Sequence, residues 1–131
     1  MAENRILTSV ELELMNILWE LGEASVKQVL EKLSPERKLA YTSVSTILRI
    51  LEKKAVIYSR REGRTHFYIP KVTKASYGKR TVDHIVTSVF SETPSELAKA
   101  LLSSDNLSLK DLMEIKSLID ERMENHDQSV S

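Results

Sequence analysis

The chain has no cysteine, only three glycines and three prolines, and no long uncharged apolar run. Without cysteine there are no disulfides, thiolate metal sites, iron–sulfur clusters or cysteine nucleophiles. Gly22, Gly63 and Gly78 stand too far apart for a glycine-rich phosphate loop. His66, His84 and His126 form no pair at metal-ligand spacing, and no nucleophile or orienting partner accompanies them. No catalytic residue, metal site or cofactor is assigned. No segment reaches the roughly 18 apolar residues that span a bilayer. The opening Met1–Ile6 has no apolar signal core, so the expected setting is the cytoplasm.

What is there is an ordinary globular composition. A chain of 131 residues, 41% hydrophobic, makes one domain or two small units that share a core between chains. The formal net charge is zero, from 19 basic and 19 acidic residues, but the balance is not local. Arg37, Lys38, Arg49, Lys53, Lys54, Arg60, Arg61 and Arg64 fall in one window whose only acids are Glu52 and Glu62, a local charge of +6. Such a window is either a solvated basic face or a seat for a polyanion.

Thr8 followed by Glu11 has the pattern of a capping box, and Leu14, Ile17, Leu18 and Leu21 then repeat at helical spacing until Gly22. Ser25 and Gln28 open a second helix with the stripe Val26, Val29, Leu30 and Leu33, stopped by Ser34-Pro35. A third helix spans Ala40–Lys54, with Val44, Ile47, Leu48 and Leu51 on its buried stripe. Its opposite face offers Thr42, Ser43, Ser45, Thr46, Arg49 and Lys53, short hydroxyls and cations with no acid before Glu52. Solvated faces ordinarily mix both signs; this one suits phosphates and base edges.

Val56–Arg61 and Arg64–Ile69 read as two strands separated by Glu62-Gly63, with Pro70 closing the second. Three helices and a hairpin with basic groups at its tip spell a winged helix-turn-helix, whose third helix enters the major groove of DNA. The expected DNA-contacting residues are Tyr41, Thr42, Ser43, Ser45, Thr46, Arg49, Lys53, Lys54, Arg60, Arg61 and Arg64. Arginine can grip guanine with two hydrogen bonds, while the lysines and wing arginines supply sequence-independent phosphate attraction. Tyr41 either bonds a phosphate or packs the helix turn.

Lys71–Ser76 reads as a polar linker. Beyond it, Val82, Ile85, Val86, Val89 and Phe90 mark one helix, Thr93-Pro94 begins another carrying Leu97 and Leu101, and Ser108 with Asp111 caps a last one carrying Leu112, Ile115 and Ile119. Asn125–Ser131 is polar and expected to fray. Three short helices in roughly 55 residues enclose too little interior alone. These apolar residues are the expected interface of a homodimer, with packing onto the chain's own N-terminal part as the alternative. The expected architecture is mainly α: a winged helix-turn-helix over residues 1–72, then a helical dimerisation region over 73–131.

Glu11–Trp19, Tyr41–Leu48, Leu51-Glu52-Lys53-Lys54 and Glu62-Gly63-Arg64 with Tyr68 and Pro70 resemble, in order and spacing, the penicillinase-repressor (BlaI/MecI/CopY) family. The resemblance covers roughly residues 5–123. It implies a homodimeric repressor that reads a promoter inverted repeat through its third helix. Ala55 stands where members usually have glycine. Ile50 stands where they often have arginine, with Arg49 one place earlier, and Tyr58 where a wing-strand arginine is common. Copper-responsive members bind metal through C-terminal cysteines, which this chain lacks. β-Lactam-responsive members are cut by a sensor protease at an Asn-Phe bond; aligned on Leu107, Ala100-Leu101 falls there. The partners expected are therefore operator DNA, a second copy, and a sensor protease or effector still to be identified. The competing reading is a winged-helix adaptor that docks a protein, but the third helix lacks the aromatic or aliphatic anchors such a surface uses.

Overall fold

Each of the first two helices starts on a reciprocal pair of hydrogen bonds. A computed structural model of the protein describes residues 6–130, with side chains to residue 127. Thr8 Oγ1 accepts from the Glu11 N–H at 3.2 Å while Glu11 Oε1 accepts from the Thr8 N–H at 2.8 Å, opening α1 (Ser9–Leu21). Gly22, at φ +83°, ends it. Ser25 and Gln28 repeat the arrangement for α2 (Val26–Lys32), and α3 (Tyr41–Lys53) follows without a side-chain cap. The antiparallel strands β1 (Ile57–Glu62) and β2 (Thr65–Pro70) form the wing. Ala24 joins β2 as a one-residue third strand, exchanging N–H···O bonds of 3.0 and 2.8 Å with Tyr68.

Leu14, Met15 and Leu18 of α1, Val29 of α2, Val44, Leu48 and Leu51 of α3 and Ile57 of β1 are fully buried in one core. The expected stripes thus hold, except that Leu30, Leu33 and Ile47 are half-buried and Leu21, in the last turn of α1, is exposed. The wing lies one residue later than the sequence suggests. Glu62 pairs with Thr65 inside the ladder, so the turn is Gly63-Arg64, with Gly63 at φ +63° supplying the left-handed step.

Helix α4 (Lys74–Ser88) begins earlier than expected. Thr73 Oγ1 accepts from the Ser76 N–H at 3.0 Å, so the linker is only Lys71–Thr73. Tyr77 is buried, accepts from the Leu7 N–H at 2.9 Å, and meets the Trp19 ring at 5.9 Å. Trp19 in turn donates to the Val72 carbonyl at 2.9 Å. These contacts make the first turns of α4 part of the N-terminal unit. The chain accordingly divides into two compact units between His84 and Ile85.

The second unit holds α5 (Pro94–Leu102) and α6 (Leu109–Val130). Ser108 and Asp111 form the expected box on α6. Thr93 does not cap α5; its hydroxyl turns toward the Ser91 carbonyl instead. Nor does the helix stop at Asn125. It runs on to Val130, because polarity alone does not end a helix and neither glycine nor proline intervenes. Ser131 lies outside the described residues. None of the described residues from Ile85 onward is fully buried.

The junction between α3 and the wing is built on a strained residue. The N–H groups of Ala55 and Val56 bond the carbonyls of Glu52 and Leu51, a Schellman closure with Val56 packed beside Leu51. The closure puts Ala55 at φ +64°, where an L-residue with a Cβ is disfavoured. Ala55→Gly is expected to stabilise the protein by about 1 kcal/mol, read as a higher urea midpoint at unchanged slope.

The one buried charged side chain among the described residues is Glu11, and Lys54 Nζ donates to both of its carboxylate oxygens, at 2.9 and 2.7 Å. Burial pulls the Glu11 carboxyl upward, but the Lys54 and Thr8 hydrogen bonds outweigh it and hold the group below its usual 4.5. The folded state therefore gains stability above that value and loses it as pH falls through the lowered one. In Lys54→Met, burial acts unopposed by the ammonium, and acid unfolding is expected to begin at a higher pH than in the wild type.

Candidate nucleic-acid interface

Helical periodicity divides α3 into two faces. Val44, Leu48 and Leu51 enter the core, and Thr42, Thr46, Arg49 and Lys53, spaced i, i+4, i+7 and i+11, point away from it and are exposed. Two flanks adjoin this outer stripe. On one, Tyr41, Ser45, Arg49 and Glu52 face the wing across a groove of about 790 Å³, closed on the far side by Ser59, Arg64, His66 and Tyr68. On the other, Thr42, Ser43 and Thr46 border a shallow apolar notch with Val10, Leu39 and Ile47. Tyr41 is 58% exposed and lines this groove.

The groove has its own electrostatic order. Glu52 Oε2 accepts from the Ser59 hydroxyl at 2.8 Å, tying α3 to β1. Burial pushes the Tyr68 hydroxyl's pKa up and the Glu52 charge adds to this, while the Arg49 guanidinium pulls it back. Tyr68 therefore keeps its proton, and the only anion on this part of α3 is already engaged. At the wing tip Arg61 Nε donates to the Gly63 carbonyl at 3.0 Å, which steadies the guanidinium beside the turn and leaves its remaining N–H groups for an acceptor. Arg64 is the second turn residue and opens onto the groove.

Of the eight cations in the basic window, three have carboxylate partners. Lys54 is committed to Glu11, with side-chain exposures of 18% and 8%. Arg37 pairs with Glu13. Arg60 is gripped by Glu23 through two N–H···O bonds, 2.8 and 2.6 Å, and by Glu62 at 3.0 Å. Lys54 and Arg60 thus depart from the expectation that they offer phosphates an open charge. Lys38, Arg49, Lys53, Arg61 and Arg64 enter none of the ion pairs among the described residues.

The groove also includes residues that sequence reasoning passed over. Ser25 and Lys27 at the start of α2, with Ser59, Thr65, His66 and Tyr68 of the wing, line it. Strand alternation carries the signal for the wing: Ser59 opposes Tyr68, and Arg61 opposes His66, on one face of the hairpin. Asp83 and His84 are exposed on α4. No cluster of three or more metal-binding side chains exists among the described residues, and none of their helices is long and apolar enough to cross a membrane.

Three helices, a two-stranded wing, and a hydroxyl-and-cation face beside it define a winged helix-turn-helix protein of the DNA-binding class. The sequence profile of the penicillinase repressor family matches residues 7–121. The chain belongs to that family, and it is a DNA-binding transcriptional repressor. It is 42% identical over 71 residues to the transcriptional regulator BlaI of Mycobacterium tuberculosis, covering 53% of this chain and 51% of that one. It is 23% identical over 115 residues to the penicillinase repressor of Bacillus licheniformis, covering 88% and 90% respectively. The solved DNA-binding domain of the repressor BlaI superposes with a TM-score of 0.51 at 26% identity, covering 59% of this chain and 94% of that domain.

The different settings of adjacent lysines generate a contrast. Lys53→Ala is expected to leave stability unchanged and to lower the salt slope of DNA binding by about one contact per protomer. Lys54→Ala strands the Glu11 carboxylate and is expected to cost about 2 kcal/mol of folding stability. Urea unfolding and salt titrations of DNA affinity on both variants measure these effects.

Proposed function

We propose that the repressor works as a homodimer on a promoter inverted repeat, each α3 lying in a major groove and each wing reaching the flanking backbone. The observation that carries this reading is the exposed stripe Thr42, Thr46, Arg49 and Lys53, free of carboxylate partners among the described residues and set beside a groove that Arg64 closes. Arg49 supplies base discrimination; Thr42, Ser43, Ser45 and Thr46 supply hydroxyls for bases and phosphates. Tyr41, Lys53, Arg61 and Arg64 hold the backbone. Repression follows from occupancy, since bound dimer and polymerase compete for the same DNA. The protein performs no chemistry of its own and acts in the cytoplasm.

The second unit supports the dimer. Val89, Leu101, Leu112 and Ile119 are exposed, and Ile85, Val86, Phe90, Leu97 and Ile115 are only half-buried; Val82 on the preceding turns of α4 is exposed as well. A surface so apolar is costly in water, and the same face of a second copy covers it with matching chemistry.

Fluorescence anisotropy against the chain's own upstream region and a scrambled duplex tests the reading. Two chains per site are expected, with preference for the upstream sequence. With roughly 6–10 phosphates neutralised per dimer, affinity should fall about 10³–10⁵-fold between 50 and 200 mM salt. Arg64→Ala should weaken all sequences alike, whereas Arg49→Ala should also relax preference at one base pair. Equal, feeble binding to every duplex in a random-sequence selection would overturn the proposal.

A further inference from the structure

The wing's most heavily bonded arginine does not lie on the groove. Strand register puts Arg60 opposite Phe67, on the hairpin face away from Ser59 and Tyr68. Its guanidinium carbon sits 4.6 Å from the centre of the Phe67 ring. From there it reaches over β2 to Glu23, the residue before Ala24 in the one-residue third strand. Glu62, two residues along β1, takes the remaining corner of the fork. Four groups thus hold one side chain: two carboxylates, an aromatic face and the strand beneath. The anchor at the far end, Glu23, belongs to the corner between α1 and α2, whereas Arg60 belongs to the wing.

We infer that Arg60 is a positioning residue that clamps the wing to the α1–α2 corner and thereby sets the height of Arg61 and Arg64 over the groove. The Ala24–Tyr68 hydrogen bonds join wing and corner at a single residue pair, while the Ser59–Glu52 hydrogen bond ties β1 to α3. The Glu23–Arg60 bridge is a second attachment to the corner, made from the hairpin face opposite Ser59 and one residue nearer the tip on β1, so that both faces of the wing are held. A bidentate arginine suits this use because its planar fork fixes direction as well as distance. The inference rests on the DNA-binding reading for its functional consequence, but the clamp itself is a property of the free protein.

Glu23→Gln separates the possibilities by sign. Removing a negative charge near a polyanion strengthens binding when electrostatics alone decides, and strengthens it further when a freed Arg60 reaches a phosphate. The clamp predicts the opposite: affinity of the full-length protein for the DNA it selects falls about two- to fivefold. In Arg60→Met, which keeps a long apolar chain over Phe67, the fall is similar and the salt slope is unchanged. The double variant falls no further than either single one. Arg60→Lys keeps the charge but loses the fork, and behaves like Arg60→Met. Hydrogen exchange of the free protein is the arm that needs no DNA: amides of β1 and β2 exchange faster in Glu23→Gln, while those of α1 and α3 are unaltered. Tighter binding by Glu23→Gln, a salt slope lowered by about one in Arg60→Met, or unaltered wing exchange would each overturn the clamp. Failure of the wild type to bind any duplex would instead overturn the DNA reading and leave the exchange result standing.

Discussion

The ion pair between Glu11 and Lys54 is the interaction on which the geometry of the N-terminal unit depends. Glu11 does two jobs with one carboxylate: it closes the box that starts α1 and receives the ammonium from the end of α3. The first turn of the fold and the last turn of the recognition helix are thereby held together. Everything downstream is measured from that point. The Schellman closure at Ala55 aims the chain into β1, and Val56 packs beside Leu51 at the start of the wing. A charged pair so little exposed contributes modestly to net stability, since desolvation offsets much of the attraction. Its value lies in fixing direction, because an ammonium between two oxygens tolerates little displacement.

The same logic divides the basic window by task. Lys54, Arg37 and Arg60 are spent on α1 or on the corner that follows it, through Glu11, Glu13 and Glu23. These three attach α3, the loop before it and the wing to a single helix and its exit. The cations left over are on the outer stripe of α3, at the wing tip, and at Lys38. A window that looks uniformly basic is, in three dimensions, a set of fasteners interleaved with a set of free charges.

That distinction is the part of the site that could not be read along the chain. Capping boxes at Thr8–Glu11, Ser25–Gln28 and Ser108–Asp111 are legible because donor and acceptor lie three residues apart. The core stripe of α3 and the outward stripe opposite it are legible for the same reason, being set by helical period. The carboxylates that neutralise Arg37, Arg60 and Lys54 stand 24, 37 and 43 residues away, and no local pattern announces them. Tyr77 is a similar case. Nothing local marks it, and only the Leu7 amide and the Trp19 ring, 70 and 58 positions earlier, make it a core residue that draws the first turns of α4 into the first unit. The one-residue shift of the wing turn is a smaller miss: glycine marks the turn, but which neighbour shares it depends on the register of the ladder.

The cancelled cations also alter how this molecule meets a charged rod. With no net charge, it experiences little pull as a whole from beyond a Debye length, about 8 Å at physiological salt. Closer in, attraction falls to Lys38, Arg49, Lys53, Arg61 and Arg64, which enter none of the ion pairs among the described residues. Those cations lie within one stretch of the chain, so approaches that bring them to the rod are favoured over the others. On the proposed reading, steering is therefore short in range, and the choice among sequences falls to contacts made at base edges.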